Sequence, residues 1–425
     1  MERLSATAAK LALLLFSWSL PASLFGMQAG AATMALALTT FFLVRKERPA
    51  SSALDLPIAF LVTAILISLL FSAQGPASFR TATSFWVYAA YFLVWQVLRG
   101  GDERLLKLAV NGALALAVAA GLLGLGQALS GSYPAFGLMH PGMDESKRLV
   151  PISGQPAAVG FFFSRLTFAH VMLFMFCWSF SLTLEKALGR KRLFYFAAAT
   201  ASVAGIFATQ ARMAWLSLVL SAFGLCFWRW PKRRAAMAGL AVLFILAVLF
   251  LPGPAARLRQ SFSGGRDWTR LVLWKSALEL AVKNPLTGVG YGNFQRDAAP
   301  VVERLSREAG RKRFAGVLAW AHSNLLTFLA ETGVLGLAAF CLLFAVYFHR
   351  VWLALKKTKD PLPWPAAFVR GSAVAVGAFL LVGLLHDNFF DGEVAFNLWF
   401  TLASSLAACR MLDQRQRLTD VASTA

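Results

Sequence analysis

Apolar runs close to the roughly 20 residues that cross a bilayer recur along this chain and dictate its architecture. LPIAFLVTAILISLLF, LLKLAVNGALALAVAAGLLGLGQAL, AAMAGLAVLFILAVLFLP and FVRGSAVAVGAFLLVGLL are four of them. Backbone groups in hydrocarbon find no water, and a helix satisfies them within one segment. The length criterion gives about 12 such segments. They lie at 8–25, 27–44, 56–74, 84–98, 105–129, 160–184, 193–210, 213–230, 235–252, 321–349, 367–386 and 394–411. The chain is 58% hydrophobic, above the roughly 45–50% of soluble domains, so the surplus must face lipid.

Charge orients the bundle, because Lys and Arg in short loops mark the cytoplasmic side. RKER at 45–48, Arg99 to Lys107, EKALGRKR at 185–192, PKRR at 231–234, Lys356 to Lys359 and the RMLDQRQR tail all fall on one side. Segment 253–320 is basic and falls on the other, where loops beyond about 60 residues translocate regardless of charge. The expected fold is an all-α polytopic membrane protein of about 12 transmembrane helices, both termini cytoplasmic, with one large helical loop outside. Its divisions are 1–252 (helices 1–9), 253–320 (the loop domain) and 321–425 (helices 10–12 and a cytoplasmic tail). The first apolar run resembles a signal peptide, but a second follows at once, so an uncleaved first span is expected.

The net charge of +21 is spread over membrane-flanking loops, and no compact basic fold carries it toward nucleic acid. Cys177, Cys226, Cys341 and Cys409 stand inside apolar runs with no disulfide or zinc spacing. Within the loop domain, WTRLVLWKSALELAVKN has helical periodicity and Asn284–Pro285 ends it. Gly288, Gly290 and Gly292 then set a tight path, and a second helix is expected from Val301 onward. Segment 130–158, rich in Gly, Pro and Ser, reads as an irregular lid.

Candidate chemistry gathers at the outward ends of the spans. Arg80, Arg165, Arg212, Arg266 and Arg270 all stand there, and any one of them can simply snorkel to headgroups. Arg212 is the sharpest case: it occupies a very short outward turn, against the positive-inside bias, and its placement calls for a partner. A diphosphate suits such a group, since guanidinium binds phosphate bidentately and keeps its proton. His322 borders an apolar run and is the group in its stretch that titrates near neutrality, although a histidine at a helix start is often structural. Glu331, an acid inside that run, stands equally for a functional or a packing role. His386, Asp387 and Asp391 form a second outward polar cluster whose spacing matches no standard metal set. GVGYG is not a dinucleotide loop, because no strand precedes it.

HSNLLTFLAETGVLGLAAF, TQARMAWL and RLVLWKSALELAVKNPLTGVGYGNF together resemble the signature stretches of the O-antigen ligase and polymerase superfamily, most closely the lipid A–core O-antigen ligase. The motifs fall within 205–345. The resemblance implies transfer of an O-antigen glycan from undecaprenyl diphosphate to lipid A–core oligosaccharide, at the periplasmic face of the bacterial inner membrane. His322, Arg212 and Arg270 would be catalytic by position. Arg266, Arg80, Arg165, Glu331 and His386 would bind substrate. Arg266 precedes the motif tryptophan, Trp274, by eight residues and Arg270 by four, which makes Arg270 the first choice. Neither cofactor nor metal is expected, since arginines can hold a diphosphate leaving group. The partners are the lipid-linked glycan, the acceptor and membrane lipid. One-step attack by the acceptor hydroxyl would invert the anomeric centre.

Two alternatives stay open. A polymerase of the same superfamily would extend a carrier-linked glycan instead. Arg296, Arg304, Arg307, Arg311, Lys312 and Arg313 tilt the reading toward the ligase, because a phosphorylated core is anionic. A lipid or solute transporter is a different class, against which stand the scarcity of acids and of paired broken helices in the apolar runs.

Overall fold

The computed structural model describes residues 1–73, 86–134, 151–152, 154–230, 265–310, 320–358 and 362–424, with isolated positions at 137, 149, 232, 235 and 239. Arg80, His140 and all of the expected span at 235–252 but positions 235 and 239 lie outside the described residues. The helices in chain order are α1 (Glu2–Ser19), α2 (Leu24–Arg45), α3 (Asp55–Leu70), α4 (Trp86–Leu98), α5 (Glu103–Ser130), α6 (Arg165–Thr183), α7 (Lys191–Ala208), α8 (Arg212–Arg229), α9 (Gly265–Lys283), α10 (Phe294–Glu308), α11 (Asn324–Lys356), α12 (Trp364–Gly383) and α13 (Gly392–Thr424). Among the described residues there is no β-strand, only an isolated bridge between Ile152 and Gln155.

The chain is a multi-pass helical membrane protein. Among the described residues, six helices are long and apolar enough to cross a membrane: α2, α5, α6, α11, α12 and the Gly392–Leu418 part of α13. α3 and α4 are apolar but shorter. α1, α7 and α8 coincide with expected spans, yet charged residues such as Arg3, Lys10, Arg192 and Arg229 stand within them and dilute their hydropathy. Burial separates the helices by position. α13, α6 and α12 are 94%, 89% and 78% buried over their spans while α2 is 33% buried, so the first three form the core and α2 lines the outside.

Small residues let these helices meet closely. A Cβ on Gly30 would lie 2.7 Å from the Phe16 backbone, and one on Gly371 would lie 2.7 Å from the Cys177 carbonyl. One end of the bundle gathers charged segments far apart in sequence: Arg45 pairs with Glu2, Lys10 with Asp102 and Arg415 with Glu103. Near that end Glu185 is fully buried, 2.6 Å from Arg370 and 3.3 Å from Arg229, and so joins the end of α6 to α12 and α8. The opposite end holds the α1–α2 turn, the start of α6, the α7–α8 turn, the start of α11 and the α12–α13 connection.

α11 is two helices in one. Gly333 has φ 62° and ψ −163°, which breaks the ladder within an apolar run. The freed backbone groups are re-satisfied by the turn that follows α9. Val334 N–H donates to the Pro285 carbonyl at 2.8 Å, and Val289 and Gly290 donate to Ala330 and Glu331 carbonyls at 3.0 and 2.9 Å. Gly288, Gly290 and Gly292 carry φ of 66°, 103° and 80°, as the tight path required. α9 and α10 pack on the first half of α11 through Leu273, Ala277, Leu280, Phe294, Ala298 and Ala330.

Candidate active site

His322 stands at the entry to α11 with φ 54°, a left-handed conformation that a non-glycine residue holds only when its surroundings enforce it. The enforcement comes from the α12–α13 connection. Ser323 N–H and Thr327 Oγ1 both donate to Asp387 Oδ1, at 3.1 and 2.7 Å. Asn324 donates to Asn388 Oδ1 at 2.6 Å and accepts from Phe389 N–H at 3.2 Å. Gly383 leaves room for this pairing, since a Cβ there would lie 2.3 Å from Asn324 Nδ2. With Oδ1 held, Asp387 Oδ2 faces His322 Nδ1 at 3.4 Å; the aspartate side chain is 4% exposed and the imidazole 36%. A buried carboxylate thus stands within ion-pair distance of an open imidazole, on its Nδ1 side, the relative placement of an orienting carboxylate and a histidine base.

Cationic groups surround the next residue. His386 lies edge-on to His170, ring centroids 5.6 Å apart. Burial pushes the His386 pKa down to about 2, reinforced by the neighbouring His170, Arg270, His322 and Arg165. His386 is therefore a neutral hydrogen-bonding group in a positive field, and that field is supplied by the arginines. Arg165, the first residue of α6, donates through Nη1 to the Thr209 carbonyl at 3.1 Å. This bond ties α6 to the turn before α8, where Gln210 has φ 55° and bonds the Pro156 carbonyl at 3.0 Å. Arg212, exposed, opens α8 from that turn. Among the described residues, then, Arg165, Arg270, His322 and His386 come together, with Arg212 on a turn that Arg165 fastens. Such a cluster of cationic groups suits an anion carrying more than one charge.

Glu331 is placed differently. It is fully buried, and its Oε1 accepts from Phe294 N–H at 3.1 Å, so it caps α10 from beneath the glycine turn. Arg266 lies in the first turn of α9, with its side chain outside the described residues. Asp391 accepts from Thr167 Oγ1 at 2.5 Å and from Val394 N–H at 3.2 Å, which links α6 to the start of α13. In the basic stretch of α10, Arg304 is paired with Glu279 and Glu308, while Arg296 and Arg307 are exposed; Arg311, Lys312 and Arg313 lie outside the described residues.

Sequence reasoning placed Asp387 in a separate cluster and missed its pairing with His322. A signal was present: His-x-Asn occurs at 322–324 and again at 386–388, and the two asparagines bond each other.

Comparison with known proteins adds an independent line. The chain is similar to the exopolysaccharide production protein ExoQ of Rhizobium meliloti (strain 1021), 27% identical over 229 residues that make up 50% of this chain and 51% of ExoQ. The chain thus spans about half the length of that relative. The family model described as O-antigen ligase matches residues 196–341, which include Arg212, Arg270, His322 and Glu331. This stretch, from α7 to the middle of α11, is thus similar to the O-antigen ligase family.

Proposed function

We propose that the chain is a glycosyltransferase that moves an O-antigen glycan from undecaprenyl diphosphate to a hydroxyl of lipid A–core oligosaccharide, at the periplasmic face of the inner membrane. The observation that carries this reading is the His322–Asp387 pair standing beside Arg165, Arg270 and His386. In the proposed step the acceptor oxygen forms its bond to the anomeric carbon from the face opposite the diphosphate. Its proton passes to His322 Nε2, and the carbon–oxygen bond to phosphate breaks with its electron pair leaving on the diphosphate. Asp387 orients the imidazole and stabilises the imidazolium that forms. Arg270, Arg212 and Arg165 hold the charge that grows on the leaving group. A single displacement inverts the anomeric centre.

Purified protein in lipid nanodiscs, given lipid-linked donor and lipid A–core acceptor, is expected to transfer glycan with no gradient imposed. Solute movement that requires a gradient, with no transfer, would overturn the reading in favour of a transporter. A polymerase has specific support of its own. The similar protein is named for exopolysaccharide production, and the pairing of Arg304 with Glu279 and Glu308 neutralises part of the basic surface that favours an anionic acceptor. Growth of glycan on the carrier in the same assay, without acceptor, identifies that activity.

A further inference from the structure

A cavity of about 300 Å³ opens beside the His322–Asp387 pair, at the small end of the roughly 300–1,000 Å³ of ligand pockets. Six aromatic rings dominate its wall: Tyr88, Tyr291, Trp320, Phe389, Phe390 and Trp399. The rim and the pair share two chain segments. Trp320 stands two residues before His322, and Phe390 three after Asp387. Their rings stack with centroids 5.9 Å apart. From there the cavity descends. Trp399 lies two turns inside α13, roughly 10 Å below its first residue at 1.5 Å per residue, within a stretch apolar enough to span a membrane.

We propose that this chamber holds the first isoprene units of the carrier lipid, next to the diphosphate to which they are joined. The proposal rests on the carrier-linked donor of the preceding section. Placement favours it, because Trp399 on its wall belongs to a helical stretch apolar enough to cross a membrane. Lining favours it too. Among the described residues no charged side chain lines it, and the phenols of Tyr88 and Tyr291 interact with each other. Recognition of a sugar needs polar groups aimed at its hydroxyls. A prenyl chain asks only for close, polarisable contact, which aromatic walls supply. Chain proximity completes the case: the lining residues Trp320 and Phe390 stand two residues before His322 and three after Asp387, the pair beside which the proposed diphosphate is held.

Ala395 on α13 and Val87 on α4 also line the chamber, and Ala395→Phe and Val87→Phe fill it from two different walls. Binding of farnesyl diphosphate, farnesol and inorganic pyrophosphate is measured on the full chain in nanodiscs, with empty nanodiscs as the blank. Farnesyl diphosphate is expected to bind wild type at least about tenfold more tightly than pyrophosphate, the gain from burying a few methylene equivalents. Both filled variants should lose most of that advantage and keep wild-type affinity for pyrophosphate, which also reports that they are folded. An undiminished advantage in both variants overturns the proposal. A raised KM for the acceptor alone also overturns it, and gives the chamber to the acceptor sugar. If pyrophosphate does not bind wild type but farnesol does, and the filled variants lose it, the chamber assignment stands and the diphosphate reading falls. If neither binds, both fall.

Discussion

At residue scale the proposed chemistry divides between one imidazole, His322, and the groups that would aim it or surround it. Asp387→Asn keeps an oxygen for Ser323 N–H and Thr327 and removes the charge facing His322. Turnover should fall by about 10²-fold or more, while melting temperature stays near wild type. Equal losses in both would make Asp387 a structural residue. His322→Gln retains hydrogen bonding without basicity, and a loss of roughly 10²–10⁴-fold is expected for a general base; near-wild-type turnover at saturating donor and acceptor removes that role. Arg270→Ala should cost about 2–4 kcal/mol of transition-state stabilisation, and Arg270→Lys should recover little of it, since a point charge does not reproduce a fork. Full activity of the lysine variant would refute bidentate binding. His386 gives a pH signature. Its folded pKa of about 2 lies below the roughly 6.5 of an unfolded histidine, so above pH 6.5 neither state is protonated and no penalty arises. As pH falls below 6.5 the unfolded chain gains a proton that the folded chain refuses, and the fold is destabilised. The melting temperature of His386→Gln should therefore fall less than that of wild type between pH 7.5 and 5, and parallel curves would contradict this linkage.

At element scale, the break in α11 builds the site. The turn at 285–293 can lie against Gly333 only because both backbones lack side chains there. A Cβ on Gly333 would lie 2.3 Å from Leu286 carbonyl atoms, and one on Gly288 2.3 Å from Glu331. Gly333→Ala combines a left-handed alanine with overpacking, an expected cost of roughly 2 kcal/mol or more, read as a lower melting temperature with loss of transfer. A stable, active variant would show that the interlock is not needed. Much of this architecture was legible in the sequence. Eleven of the expected spans coincide with helices, because apolar length is a property of each segment alone. The end of α9 at Lys283 followed from Asn284–Pro285, and the glycine turn from its composition. The break at Gly333 was not legible, since a hydropathy window averages over one glycine. α10 begins at Phe294 and not near Val301, because Glu331, 37 residues on, caps it. The partner of His322 lies 64 residues past its neighbour Ser323 in the bonding pattern, a distance that no local spacing rule spans. The arginines were legible one by one through the side of the membrane that the charge pattern assigns them; their convergence on His386 was not.

At the scale of the whole molecule, the bundle has two chemically distinct ends, and the proposed reaction requires them to face different compartments. Glu2, Arg45, Asp102, Glu103 and Arg415 meet at one end, while His322, Asp387, Arg165 and Arg270 gather at the other. A carrier-linked glycan and its acceptor meet outside the cytoplasm in the proposed function, so the second end must be outward. The positive-inside rule points the same way, with Lys and Arg crowding the first end in short loops. Gln295 on α10 is exposed near the site, and Arg48 and Arg417 are exposed at the charged end. Single cysteines at these positions, in a chain whose native Cys177, Cys226, Cys341 and Cys409 are replaced by alanine, convert the geometry into an accessibility measurement. With the outer membrane permeabilised and the inner membrane intact, a membrane-impermeant maleimide should label Gln295→Cys at once, and Arg48→Cys and Arg417→Cys only after lysis. Labelling of Arg48→Cys before lysis with protection of Gln295→Cys would invert the molecule in the membrane. The His322–Asp387 pair would then face the cytoplasm, and transfer at the periplasmic face would be untenable.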